Sequence, residues 1–118
     1  MPEDKKIMSD DLVFACLDRY SVSPGHTLIV TNRHVANWFA ASTEERRAID
    51  DAIMILKERL DREHNPDGYN IGVNVGRASG QTIDHLHVHL IPRYRGDVDD
   101  PWGGVRGVIP GKRLYPKD

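Results

Sequence analysis

Three of the six histidines in the chain, His85, His87 and His89, fall within five residues and alternate with Leu86, Val88 and Leu90. On a β-strand, residues i, i+2 and i+4 share one face at ~3.3 Å per residue, so these imidazoles would stand in a row ~13 Å long. The leucines and valine would form an apolar face behind them. Such a row suits two kinds of chemistry. A His-x-His pair can hold a metal, but a row this long is awkward for three ligands on one tetrahedral ion. Alternatively, the middle histidine acts while its neighbours bind and orient an anion, which fits phosphoryl chemistry, where positioning and charge stabilisation dominate. A strand with incidental surface histidines is a third reading, and the strict alternation weighs against it.

The segment just before the row points the same way. In Gly76-Arg77-Ala78-Ser79-Gly80-Gln81-Thr82 the glycines can turn backbone N–H groups toward a phosphate, and Ser79, Gln81 and Thr82 offer side-chain donors. Alone it reads as an ordinary connecting loop. Placed directly ahead of the histidines, it reads as a phosphate cradle.

Other elements must hold these residues in place. Apolar residues between Ile7 and Leu17, interrupted by Ser9-Asp10-Asp11, read as two short strands joined by a turn. Ser21-Val22-Ser23-Pro24-Gly25 is turn chemistry, and His26 to Thr31 follows as a β-branched strand. A short helix is predicted over residues 33–40. Ser42-Thr43-Glu44-Glu45 matches a capping box, and Ile49, Ala52, Ile53, Leu56 and Leu60 continue as one face of a long helix ending near His64. Asn65-Pro66-Asp67-Gly68 stops it. Tyr69 to Val75 alternates with period 2, with Asn70, Gly72 and Asn74 on one face, and the histidine strand runs from Asp84 to Ile91. The order predicts an α+β domain, a five-stranded, mainly antiparallel sheet with one short and one long helix, the long one covering the Val73/Val88 face. Leu12, Phe14, Cys16 and Asp18 share one parity, as do His26, Leu28 and Val30. If both sets face the histidines, Asp18 and His26 converge on the row and the apolar residues line a base pocket.

Composition bounds the function. The chain has 118 residues, 39% hydrophobic and 29% charged, which fits a single domain over 1–118. Residues 1–6 are expected to be frayed, and 96–118 to form an irregular C-terminal arm that holds five of the ten glycines and three of the seven prolines. A net charge of −2 gives no basic field for nucleic acid. No apolar run approaches the ~20 residues of a membrane span, and no secretory signal opens the chain, so a cytoplasmic protein is expected. The single cysteine, Cys16, excludes an internal disulfide and a Cys-pair zinc site.

The segment His85-Leu86-His87-Val88-His89-Leu90-Ile91 resembles the signature of the histidine triad superfamily of nucleotide hydrolases and transferases. Asp18 to Leu28, Arg33-His34-Val35, Asn74 and Gly80-Gln81-Thr82 look like the other landmarks of that family in order and spacing. By resemblance, His87 is the nucleophile on the α-phosphorus of a nucleotide conjugate, forming a covalent nucleotidyl-histidine that water hydrolyses. His85 and His89 flank the phosphate, and Gln81 and Thr82 hold its oxygens beside Gly80. His26 packs beside the triad and orients its first member. Asp18 accepts the ribose hydroxyls, Asn74 faces the nucleotide, and Phe14 and Leu28 line the base pocket.

The resemblance also implies a homodimer, with Trp38, Phe39 and the arm from Pro101 onward as candidate surface. The sequence lacks the Cys-x-x-Cys with which many members begin, so no structural zinc is expected. No cofactor is expected either, a divalent metal entering only as the substrate's counter-ion. The segment after the triad, Ile91-Pro92-Arg93-Tyr94-Arg95-Gly96-Asp97, looks like the bacterial and fragile-histidine-triad-like side, which implies diadenosine-polyphosphate-like substrates, with Arg93, Arg95 and Arg106 placed to steer a polyphosphate. A purine nucleoside phosphoramidase and a nucleotide-binding regulatory protein with little turnover are the alternatives.

Overall fold

The computed structural model describes residues 5–116. The turn expected at Ser9-Asp10-Asp11 forms because Asp10 Oδ1 accepts the N–H groups of Leu12 and Val13, at 2.8 and 2.9 Å. It joins β1 (Lys6–Ser9) to β2 (Val13–Leu17), and β3 is Thr27–Thr31. Lys6 is therefore part of a strand, not of a frayed end, while residues 1–4 of that expectation lie outside the described residues. Beyond the helix come β4 (Gly68–Gly72) and β5 (His87–Arg93). All neighbouring strands are antiparallel, in the order β1-β2-β3-β5-β4.

Helix α1 (Thr43–His64) starts where the capping box places it. Ser42 Oγ accepts from the Glu45 N–H at 3.0 Å, and Glu45 Oε1 accepts from the Ser42 N–H at 2.9 Å. Glu45 is buried, and the Arg33 guanidinium reaches it at 2.6 Å. That bond, together with the Ser42 backbone, holds the Glu45 carboxyl below the usual carboxylate range. At the other end Asn65 adopts the left-handed conformation, with φ 50°, and ends the helix. Ile49, Ala52, Leu56 and Leu60 face the sheet and pack with Val13, Ala15, Ile29, Leu86, Val88 and Leu90.

Alternation then decides the second face. β5 buries Val88, Leu90 and Pro92 under α1 and turns His87, His89 and Ile91 the other way. β3 does the same with Ile29 inside and Leu28 and Val30 outside.

Three elements differ from expectation. The short helix over 33–40 shrinks to one 3-10 turn, Trp38–Ala40, capped by Asn37. Residues 33–36 are not helical, since the Val35 carbonyl accepts the Leu86 N–H at 2.8 Å and ties this segment to the approach of the histidine strand. β4 ends at Gly72 instead of Val75, because Gly72 opposite His89 is the last β4–β5 pair. β5 starts at His87, so His85 precedes the ladder. The arm carries two 3-10 turns, Gly104–Val108 and Pro110–Lys112.

The cap leads to a stability prediction. Glu45→Gln, which keeps an oxygen for the Ser42 N–H, is expected to cost less than Glu45→Ala, and Ser42→Ala is expected to cost about 1 kcal/mol. Urea unfolding of the three variants checks the order; equal losses for the two Glu45 variants would show that the Arg33 pair, not the cap, holds this end.

Candidate active site

The register of β3 on β5 assembles the site. Leu28 lies opposite His89 and Val30 opposite His87, while β2 adds Phe14 opposite Val30 and Cys16 opposite Leu28. These side chains share one face of the sheet and line a hollow of about 360 Å³ with Asp18, Tyr20, Ile83 and His85. The parity argument thus places Phe14, Leu28 and Asp18 together beside the triad. Tyr20 and Ile83, both mainly exposed, border the hollow too and carried no signal beyond their nearness to Asp18 and His85. Cys16 contributes a buried thiol whose pKa burial pushes up, which keeps it protonated and unreactive.

Fixed backbone groups set the histidine tautomers. His87 Nδ1 is 2.9 Å from the carbonyl oxygen of His85 and must donate to it, leaving the lone pair of neutral His87 on Nε2. His85 Nε2 donates to the Thr31 carbonyl at 2.9 Å. At the far end of the row, the Val22 N–H donates to His26 Nδ1 at 3.1 Å, so neutral His26 carries its proton on Nε2. That atom lies 3.0 Å from His89 Nδ1 and donates to it, which places the His89 proton on Nε2. Burial lowers the pKa of both rings. For His89, the neighbouring His26 and His87 add to the effect, and for both Asp18 opposes it.

His26 therefore supports the third triad histidine, not the first as expected. It reaches this place because Gly25, at φ +88°, turns the chain where a Cβ would crowd His64 and Leu60 at 3.0 Å. The first triad histidine has another neighbour. His34, exposed, stands edge-on to His85 with ring centroids 5.0 Å apart.

Asp18 borders the hollow, where its Oδ1 accepts the Tyr20 N–H at 2.8 Å and its Oδ2 lies 3.4 Å from His26 Nε2. Among the described residues, Asp18, His26 and His89 are one set whose donor atoms lie close enough for a metal, within 4.8 Å. The hydrogen bonds oppose that use. His26 Nε2 could ligate only by giving up its proton to Nδ1, where the Val22 N–H needs a lone pair.

The loop before the triad does not form the expected cradle. The N–H groups of Ser79 and Gln81 go to the Gly76 carbonyl and that of Gly80 to Arg77, while Gly76 donates to Gln81 Oε1 at 2.9 Å. Gln81 is buried and its amide donates to the carbonyls of Ala36 and Ile83, at 2.7 and 3.0 Å. It clamps the loop onto the segment ahead of the short turn, so in this arrangement its donors are committed to the chain itself. Gly80 is the left-handed end of a 3-10 turn, and Thr82 is exposed.

Asn74 lies beyond β4, in a second hollow of about 600 Å³ that shares His26 and His89 with the first. The arginines are elsewhere. Arg93 pairs with Asp97 at 2.7 Å and reaches Asn70 at 2.6 Å, Arg95 is almost fully exposed near Asp67, and Arg106 bonds carbonyls of the arm.

Residues 2–96 match the family model of the HIT domain. An uncharacterised HIT-like protein of Methanocaldococcus jannaschii is 35% identical over 109 residues, covering 88% of this chain and 81% of that protein. The AP-4-A phosphorylase of Mycobacterium tuberculosis is 34% identical over 111 residues, covering 90% of this chain and 52% of its own length. The crystal structure of a HIT family protein from Bacillus anthracis superposes with a TM-score of 0.75 at 36% identity, over 79% of this chain and 66% of that one. The chain thus spans between about half and four-fifths of these relatives. No helix among the described residues is long and apolar enough to cross a membrane. With its alternating histidines on the central strand of an antiparallel sheet, and with this match along most of its length, the chain belongs to the HIT-domain family, whose proteins bind and process nucleotides.

Proposed function

We propose that the protein transfers or hydrolyses a nucleoside monophosphate group, with His87 Nε2 attacking the α-phosphorus of a nucleotide conjugate. The observation that carries this reading is the His87 Nδ1–H bond to the His85 carbonyl, which supports a lone pair on the opposite nitrogen, facing the hollow. As the P–Nε2 bond forms, the bond from phosphorus to the leaving group breaks and its electron pair leaves with that group. Water then attacks phosphorus, returns the electron pair to His87 and releases a proton. His89, with its proton on Nε2, and His85 flank the phosphoryl oxygens. The nucleoside lies over Phe14, Leu28 and Val30, with the ribose hydroxyls on Asp18.

No metal takes part in these steps, a proposal supported by the proton on His26 Nε2 at the one candidate ligand set named above. A homodimer is part of the same reading, supported by the position of β4 at the sheet edge with Ile71 half-exposed.

Two leaving groups fit. A diadenosine polyphosphate is suggested by the similarity to the AP-4-A phosphorylase. A phosphoramidate is favoured by the hollow beyond His89, whose lining among the described residues includes neither lysine nor arginine to balance a polyphosphate.

Three outcomes test the proposal. His87→Asn is expected to lower turnover of both diadenosine tetraphosphate and adenosine phosphoramidate by ~10³-fold or more, while EDTA leaves the wild-type phosphoramidase rate unchanged. Full activity in the variant would remove the covalent step, and loss with EDTA would bring back a metal. Asp18→Ala should weaken binding of AMP about tenfold or more, and that of its 2′,3′-dideoxy analogue far less, as read by calorimetry. Equal weakening would refute the ribose contact. Because His26 and His89 are held neutral in the fold, the unfolded chain takes up protons first as the pH falls through ~6.5. Stability is therefore complete above that value and declines below it, toward the lowered folded pKa values. Urea unfolding between pH 7.5 and 5.5 should show this slope, and His89→Asn should flatten it; parallel slopes would contradict neutral rings.

A further inference from the structure

The hollow proposed to receive the nucleoside is almost bare of groups that could read a base. Beyond the histidines, Asp18 and Tyr20, its lining is Phe14, Cys16, Leu28, Val30 and Ile83. The Cys16 thiol is a weak donor, and the other four side chains are apolar. Among the described residues, neither lysine nor arginine lines it. A cation stands just beside it. The half-buried Lys6 places its Nζ 4.4 Å from the centroid of the Phe14 ring, in the range of a cation–π contact.

A bulge in β1 brings Lys6 there. Ser9 pairs with Phe14 and Met8 with Ala15, and an even ladder would then set Lys6 opposite Leu17, on the parity of Val13 and Ala15 that packs under α1. The register instead shifts between Lys6 and Met8, so that Lys6 lies opposite Cys16. Directly opposed residues share a face, and Lys6 thereby turns to the nucleotide side while Ile7 and Met8 pack against the core. Lys6 ends a row of register partners that crosses the sheet as His89, Leu28, Cys16 and Lys6. Three strand spacings put its backbone roughly 14 Å from that of His89. A nucleoside with its phosphate at the triad and its ribose on Asp18 extends along this row toward Lys6. Strand β1 is the sheet edge opposite β4, so this end of the row lies away from the edge proposed for the homodimer.

We infer that Lys6 is a specificity-determining residue that selects 6-oxopurine nucleotides, those of guanine and hypoxanthine, over adenine nucleotides. This rests on the proposed seating of the nucleotide with its α-phosphorus at His87. An ammonium carries donors and no acceptor. Guanine offers it two adjacent acceptors, O6 and N7, whereas adenine sets the N6 amino donor beside N7 and turns like polarity toward the cation. Hypoxanthine shares O6 and N7 with guanine. Contact with the Phe14 ring limits where the ammonium can stand, and the apolar lining supplies no second group to compensate for a mismatched base edge. Adenosine conjugates remain substrates, at lower kcat/KM.

Calorimetry with GMP, IMP and AMP tests this. The wild-type protein is expected to bind GMP and IMP about tenfold more tightly than AMP, the scale of one bidentate contact to a guanine edge. Lys6→Met, which keeps an unbranched stem beside Phe14, should bring the ratio of GMP to AMP affinity close to unity. Lys6→Arg, whose fork reaches the same two acceptors, should retain the preference. The ratio is taken within each protein, so a general loss of affinity does not move it. Equal wild-type affinities, IMP behaving as AMP, or a guanine preference that survives in Lys6→Met would each overturn the role of Lys6. In those cases turnover of guanosine and adenosine 5′-phosphoramidates that is lost in His87→Asn would leave the catalytic proposal standing. Turnover equal in wild type and His87→Asn would overturn both.

Discussion

Everything in the site depends on the register of β3 against β5. Side chains alternate between the faces of a strand, so a slip of one residue would exchange His87 and His89 for Val88 and Leu90. That slip would bury imidazoles under α1 and expose the aliphatic row. The register is fixed from the buried side, where Ile29, Val88 and Leu90 meet Ile49, Ala52, Leu56 and Leu60 of the helix. Burying an aliphatic side chain is worth ~1.5–3 kcal/mol, so several together outweigh any preference of the polar face. The hydrophobic core thereby sets the spacing of the histidine row, and the residues of the opposite face are free of any packing role under α1.

Register places the rings, and backbone hydrogen bonds set their protons. The Val22 N–H and the His85 carbonyl are groups whose character cannot change with pH. Through them, His26 is made a donor to His89, and His87 is left with a lone pair on Nε2. Burial acts in the same direction by keeping His26 and His89 from taking a second proton. His26 and His89 so close together would repel one another if both were protonated; with both held neutral, His89 keeps a proton on Nε2 beside the Nε2 lone pair that the His85 carbonyl leaves on neutral His87. The turn at Ser21–Gly25 matters for this reason, since it delivers both Val22 and His26 to the end of the row.

Much of this was legible in the sequence because it obeys short periods. The histidine row, the capping box and the parity of Phe14, Cys16, Asp18, Leu28 and Val30 follow from spacing alone, and the structure gathers them on one face. What escaped depends on partners distant in sequence. The segment after Arg33 has helical composition, but the Leu86 N–H bonds its Val35 carbonyl and tethers it to the approach of the histidine strand. Gln81 has the donors of a phosphate ligand, yet its amide is taken by Ala36, 45 residues away. The choice between His85 and His89 as the partner of His26 likewise depends on three-dimensional direction, which parity leaves open.

The arm shows how position limits what a charge can do. Arg93, Arg95 and Arg106, read as sequence, suggest attraction for a polyphosphate. In the fold, Arg106 and Arg113 bond the arm's own carbonyls, and Arg93 is held by Asp97 and Asn70. A guanidinium bound to fixed backbone acceptors would have to break those bonds before it could meet a mobile phosphate, and it would gain little where water screens the contact. These side chains instead shape the arm, keeping Gly103 against Arg113 and Val105 and Val108 at the hollow beside His89. Charge in this part of the chain thus builds a surface of glycine and valine beside His26 and His89.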